Sequence, residues 1–172
     1  MILGAVLAGG QSSRFGSDKA LAELGGHTLL DRAKAALATL CDSVIVVGRE
    51  PGIPDWPRAG MGPLGGIAAA LRHATDQGFD SVLTCGVDSA ELPENLLERL
   101  SPPSAYAASQ PVIGHWRADA AAAVEAILQS DTRHSMLAFA EAIGARPVRF
   151  AEKPANINTP GDLAQLEHRD GI

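Results

Sequence analysis

Three short apolar runs, "ILGAVL" (2–7), "SVIVVG" (43–48) and "SVLTCGVD" (81–88), recur with helix-patterned sequence between them. None alternates apolar with polar residues, so each predicts a strand covered on both faces, as in a parallel sheet rather than a hairpin meander. Parallel neighbours need crossovers. "HTLLDRAKAALATL" supplies one, with Leu29, Leu30, Ala33, Leu37 and Leu40 on one stripe, Thr28 as N-cap and Asp31 three residues on. "GGIAAALRHAT" supplies the next, after a Pro/Gly-rich loop over 49–66. "LPENLLERL" predicts a short helix, "SAYAAS" and "PVIGHW" two strands, and "ADAAAAVEAILQS" and "TRHSMLAFAEAIG" two helices. "RPVRF" predicts a last strand and "NTPGDLAQLEH" a last helix, with Thr159 as cap and Pro160 at its first position. The expectation is an α/β chain: one domain over 1–172, a doubly wound three-layer sandwich around a mostly parallel, mixed sheet.

Composition narrows the function. A net charge of −6 and 4% aromatic residues exclude a basic face or a stacking platform, so no nucleic-acid partner is expected. The apolar N-terminal stretch is too short to span a bilayer and lacks a basic leader, so no membrane partner is expected. Cys41 and Cys85 make no disulfide framework, which fits a reducing, cytoplasmic compartment. The five histidines show no zinc-ligand spacing, and there is no G-x-S-x-G elbow.

In a doubly wound sheet, ligands bind beyond the carboxyl ends of the strands. Two features fall there by chain order: the loop "AGGQSSRFGSDK" after the first strand, and Asp88 at the end of the third. Glycines let backbone N–H groups approach a phosphate, and Arg14 and Lys19 can neutralise one. The loop is neither a P-loop nor a G-x-G-x-x-G fingerprint. On residue content alone, a solvated strand-to-helix loop explains it equally well.

The whole pattern is more specific. "LAGGQSSRFGSDKAL" resembles the signature loop L-A-G-G-x-S-x-R-[MF]-G-x-D-K-x-L of the MobA-like nucleotidyltransferases. "GPLGGI" (62–67), "CGVDSAELP" (85–93) and "NINTPGDL" (156–163) resemble that family's later motifs in the same order. The resemblance implies a Rossmann-like nucleotidyltransferase fold. It also implies a reaction in which a phosphate oxygen of molybdopterin attacks the α-phosphorus of GTP and displaces pyrophosphate.

Under it, Leu7, Ala8, Gly9 and Gly10 contact the nucleotide, and Asp55 accepts hydrogen bonds from guanine N1–H and N2–H2. Lys19 contacts the transferring phosphate and Arg14 the departing ones. Asp88 holds Mg2+, with Asn158 as second oxygen ligand, while Asn156, Arg133 and His115 face the acceptor. The implied partners are GTP and molybdopterin, with cofactor-delivery proteins or molybdoenzymes beyond them and the oligomeric state open.

Plainer readings stand beside these. Lys19 can pair with Asp18 or Glu23 at the surface. Asp88 can cap the next helix, Asp55 can be a loop carboxylate between prolines, and the two asparagines can serve turns and caps. Three departures bear on activity. Ala90 replaces the proline of D-x-P, Val47-Gly48 stands where members place an Asn, and the acceptor-side hairpin over 104–116 is short. They leave room for cytidylyl transfer, for another phosphate acceptor, or for a nucleotide-binding paralogue without turnover.

Overall fold

The computed structural model describes residues 1–10, 19–89, 91–151 and 159–170, the side chains of Lys19 and of 167–170 apart. A six-stranded sheet forms the centre, in the order β4 (Ser43–Val47), β1 (Ile2–Leu7), β5 (Ser81–Gly86), β7 (Gln110–Arg117), β6 (Ala105–Ala107) and β8 (Arg146–Val148). β1 pairs in parallel with β4 and β5, and β6 pairs in parallel with β8. Only β7 runs the other way, antiparallel to both β5 and β6. The sheet is therefore mixed and mostly parallel, as its apolar runs require.

Alternate residues of each strand feed two cores. Leu3, Ala5, Val82, Tyr106 and Trp116 face α2 (Gly62–Gln77), α4 (Ala121–Leu128) and α5 (Met136–Ile143). Val6, Leu83, Cys85, Ala105 and Ala107 face α1 (Leu29–Ala38) and α3 (Leu96–Arg99). Helices on both faces make the three layers. Trp116 anchors the first core. It is fully buried, stacks on Tyr106 at 6.2 Å and tilts against Phe139 at 5.1 Å. Its indole N–H donates to Thr84 Oγ1 at 2.9 Å, so burial leaves no orphaned donor. The Cys41 and Cys85 thiols are free, and burial pushes both pKa values up to about 12, which makes them poor nucleophiles.

Local signals explain most element ends. Thr28 Oγ1 accepts from Asp31 N, and Gly144 closes α5 in the left-handed region at φ 66°. Thr159 and Asp162 cap the last helix, α6 (Pro160–Asp170), reciprocally, each backbone N–H donating to the other's side chain.

The structure also corrects three local expectations and adds one small element. α2 begins at Gly62 rather than after the loop, because Pro63 suits a first turn. α5 begins at Met136 under a Ser135 cap, not at Thr132. The "ADA" segment is a 3-10 turn (Ala118–Ala120) ahead of α4. Glu23–Leu24 (β2) and His27–Thr28 (β3) form a small hairpin, turned by the glycine pair at 25 and 26. Among the described residues, no helix is long and apolar enough to cross a membrane.

Candidate nucleotide site at the carboxyl edge of the sheet

The carboxyl ends of β1, β4 and β5 form one edge, and three segments converge on it. The first leaves β1 at Leu7. Ala8 N donates to Val47 O at 2.8 Å, which carries the β1–β4 pairing one residue further and holds Gly9 beside Gly48. There is no room for a side chain between them. A Cβ on Gly9 would lie 3.2 Å from both the Cα and the carbonyl oxygen of Gly48. Gly48 itself has φ +92°, a region that β-carbons disfavour.

The second segment follows β4. Gly48 N donates to Ile53 O at 2.7 Å and Ile53 N to Val46 O at 2.8 Å, folding the chain back on the strand end. Asp55 comes next, and Trp56 N donates to Gly65 O of α2 at 3.0 Å. These ties place the Asp55 carboxylate among three glycines. Its Oδ1 stands 3.1 Å from where a Cβ of Gly48 would be and 3.6 Å from that of Gly66, and its Oδ2 stands 3.5 Å from that of Gly9. Asp55 is half-buried, and burial raises its carboxyl pKa above the ordinary value. A carboxylate desolvated in this way favours a partner with N–H donors.

The third segment leaves β5. Leu7 and Gly86 are register partners, so this segment lies one strand from the first loop. Asp88 is half-buried two residues beyond the strand, and a Cβ on Gly86 would meet its Oδ1 at 2.5 Å. The carboxylate thus folds back over the strand end. α3 starts only at Leu96 behind Asn95, so Asp88 does not cap it. Among the described residues, no three His, Cys, Asp or Glu side chains gather into a metal cage. A carboxylate placed as Asp88 is could serve Mg2+, which binds through one or two carboxylates and takes its other oxygens from substrate phosphates and water.

The remaining expected residues divide. Leu7, Ala8, Gly9 and Gly10 lie together at this edge, and Lys19 opens a 3-10 turn (Lys19–Leu21) before the β2–β3 hairpin. Arg133 is exposed in the α4–α5 link, which the topology brings to the same edge. Arg14, Ala90, Asn156 and Asn158 lie outside the described residues.

His115 is a correction. It is 2% exposed on β7, opposite Leu83 in the middle of β5 with its ring turned toward Ser81, and both ring nitrogens are engaged. Nε2 lies 2.8 Å from Ser81 Oγ and Nδ1 lies 3.2 Å from Leu100 O. The neutral ring that donates to Leu100 O and accepts from Ser81 satisfies both groups, and burial lowers its pKa. It is a satisfied core residue with no face for an acceptor. Sequence reasoning missed the steric role of Gly48. The only signal was a glycine ending an otherwise β-branched run.

A family model described as the MobA-like NTP transferase domain matches residues 4–155. The molybdenum cofactor guanylyltransferase of Rhodobacter capsulatus is 34% identical, over 98% of this chain and 96% of its own. That of Acidiphilium cryptum is 36% identical, over 94% and 92%. Among solved structures, the molybdopterin-guanine dinucleotide biosynthesis protein A of Archaeoglobus fulgidus superposes with a TM-score of 0.77 at 23% identity, covering 99% of both chains. The 2-C-methyl-D-erythritol 4-phosphate cytidylyltransferase of Thermus thermophilus superposes at 0.62 with 16% identity, covering 98% of each. At those identities the two structures speak for the fold alone.

Proposed function

We propose that this chain, which belongs to the MobA-like NTP transferase family, moves GMP from GTP onto the phosphate of molybdopterin. The reaction forms a bond from a molybdopterin phosphate oxygen to the α-phosphorus of GTP and breaks the bond to pyrophosphate, which leaves. Its curated relatives over nearly the full length carry the guanylyltransferase name. The observation that carries the base choice is Asp55, a half-buried carboxylate held against the backbone of Gly9 and Gly48. Guanine offers N1–H and N2–H2 side by side to such an acceptor, and adenine and cytosine do not.

The chemistry is positioning and charge neutralisation. Lys19 contacts the transferring phosphate, and Arg14 steadies the phosphates that depart. Asp88, with Asn158, would hold Mg2+, which supplies charge neutralisation on the phosphate oxygens when bound. Arg133 and Asn156 serve the acceptor, and the reaction belongs to the cytoplasm.

The test is pyrophosphate release by purified protein with Mg2+ and molybdopterin, comparing GTP, CTP and ATP. Release with GTP alone is expected. Release with CTP at an equal or higher rate would overturn the base assignment. No release with any of the three would overturn the reaction.

A further inference from the structure

Asp55 sits on an irregular stretch between β4 and α2 that contains Pro51, Pro54 and Pro57, so no regular element fixes its carboxylate. Its position comes from its neighbours. Behind it, Ile53 is tied to β4. Ahead of it, the Trp56 backbone is tied to Gly65 of α2, and its half-buried ring packs against the α2-side core. The Arg72 guanidinium lies over that ring, 5.1 Å from its centroid. Arg72 Nη1 donates to Glu125 Oε1 of α4 at 2.8 Å, so the cation is itself braced from a second helix.

We propose that Arg72 is a positioning residue for base selection: held by Glu125, it clamps Trp56 onto α2 and thereby sets Asp55 against Gly9 and Gly48. This rests on the guanine reading of Asp55. Arg72 and Glu125 act on the site only through Trp56, the chain neighbour of Asp55. The guanidinium lies over one face of the half-buried Trp56 ring, and Arg72 and Glu125 lie further along α2 and α4. As an exposed ion pair alone, Arg72–Glu125 would matter little. As the third tie on a loop that carries the specificity carboxylate, it decides a placement to which recognition is steeply sensitive.

The experiment compares wild type, Arg72→Ala, Arg72→Lys and Asp55→Asn on GTP and on inosine triphosphate, which lacks the N2 amine. Arg72→Ala is expected to raise the KM for GTP about tenfold, leave kcat within about twofold, and shrink the preference for GTP over inosine triphosphate by a similar factor. Arg72→Lys keeps a cation over the ring and restores most of the preference. In an Asp55→Asn background, Arg72→Ala should add nothing further, because both act through one carboxylate.

A readout independent of turnover is acrylamide quenching of tryptophan emission. Trp116 is fully buried, so the quenchable share reports Trp56, and it should rise in Arg72→Ala. Unchanged KM, preference and quenching in that variant would overturn the clamp even if its melting temperature fell. A wild-type enzyme without preference for GTP would overturn the guanine reading itself, a failure visible before any variant is compared.

Discussion

Gly9 and Gly48 meet backbone to backbone: a Cβ on Gly48 would lie 2.6 Å from Gly9 N and 2.7 Å from its Cα. The contact joins the ends of β1 and β4 and brings the Asp55 loop against the first glycine loop. Gly48→Ala should therefore cost more than backbone strain. Gly78 is the control. Its φ of +79° is similar but its surroundings are open, so Gly78→Ala carries strain alone, about 1 kcal/mol. Gly48→Ala adds the collision with Gly9, and urea unfolding should show about 2–3 kcal/mol. GTP titration should show weakened affinity for Gly48→Ala and unchanged affinity for Gly78→Ala. Equal stability losses in the two variants would mean the strands part without cost.

Asp55→Asn should lose the preference for GTP. An amide offers one acceptor and one donor where guanine presents two donors, so one mismatch of roughly 1.5–3 kcal/mol replaces a charge-assisted pair. The pH dependence has two signs. Under the guanine reading, recognition uses the ionised carboxylate, and burial raises its pKa, so GTP affinity should begin to fall at a higher pH than for an ordinary aspartate. The free protein behaves oppositely. A group whose folded pKa is raised contributes stability below its unfolded pKa and loses it as pH rises through the folded pKa. The acid-side gain in free-protein stability and the acid-side loss of GTP affinity should both vanish in Asp55→Asn. Calorimetric titration and thermal melts across the acid range measure the pair.

The fold was legible because its signals are local. Runs such as "ILGAVL" declare two-sided burial, and Thr28, Gly144 and Pro160 mark helix ends. Chain order alone points Asp88 to the carboxyl edge, whereas Asp55 is legible only through the family resemblance, and the structure brings both to that edge. What stayed hidden was set by packing over long sequence separations. Gly48 looks like an ordinary strand terminus until Gly9 is beside it. Arg72 and Glu125 look like exposed helix charges until Trp56 is under one of them, 53 residues from the other end of the pair. His115 misled for the converse reason. A histidine after a strand reads as a ligand candidate, and only the β5–β7 register shows it turned inward between Ser81 and Leu100.

His115 predicts an acid-sensitive core. Burial depresses its pKa, so the neutral ring contributes stability above the unfolded value near 6.5, and that contribution is lost as pH falls through the folded value. Protonation would replace the acceptor facing Ser81 Oγ with a second N–H inside the core. Melting temperature should therefore fall as pH drops below about 6.5. His115→Gln should flatten that part of the profile while lowering stability at neutral pH by roughly 1–3 kcal/mol, because Ser81 and Leu100 lose well-placed partners. GTP turnover per folded molecule should be unchanged at pH 7.5. A raised KM for molybdopterin in this variant would return His115 to the acceptor site.

Substitutions at Lys19 and Asp88 should separate the proposed metal binding from the proposed chemistry. Lys19→Ala removes the cation assigned to the transferring phosphate, and losing one such stabiliser costs about 100- to 1,000-fold in kcat. The fold should survive, since residue 19 sits in a short 3-10 turn ahead of a two-residue strand. Asp88→Asn keeps the shape over Gly86 and removes the charge that suits Mg2+. Its activity should fall and its half-saturating magnesium concentration should rise. The two variants must differ in kind: extra magnesium should partly rescue Asp88→Asn and should do nothing for Lys19→Ala. An unchanged magnesium titration in Asp88→Asn would move the metal to other ligands, and normal turnover by Lys19→Ala would remove the first loop from the chemistry.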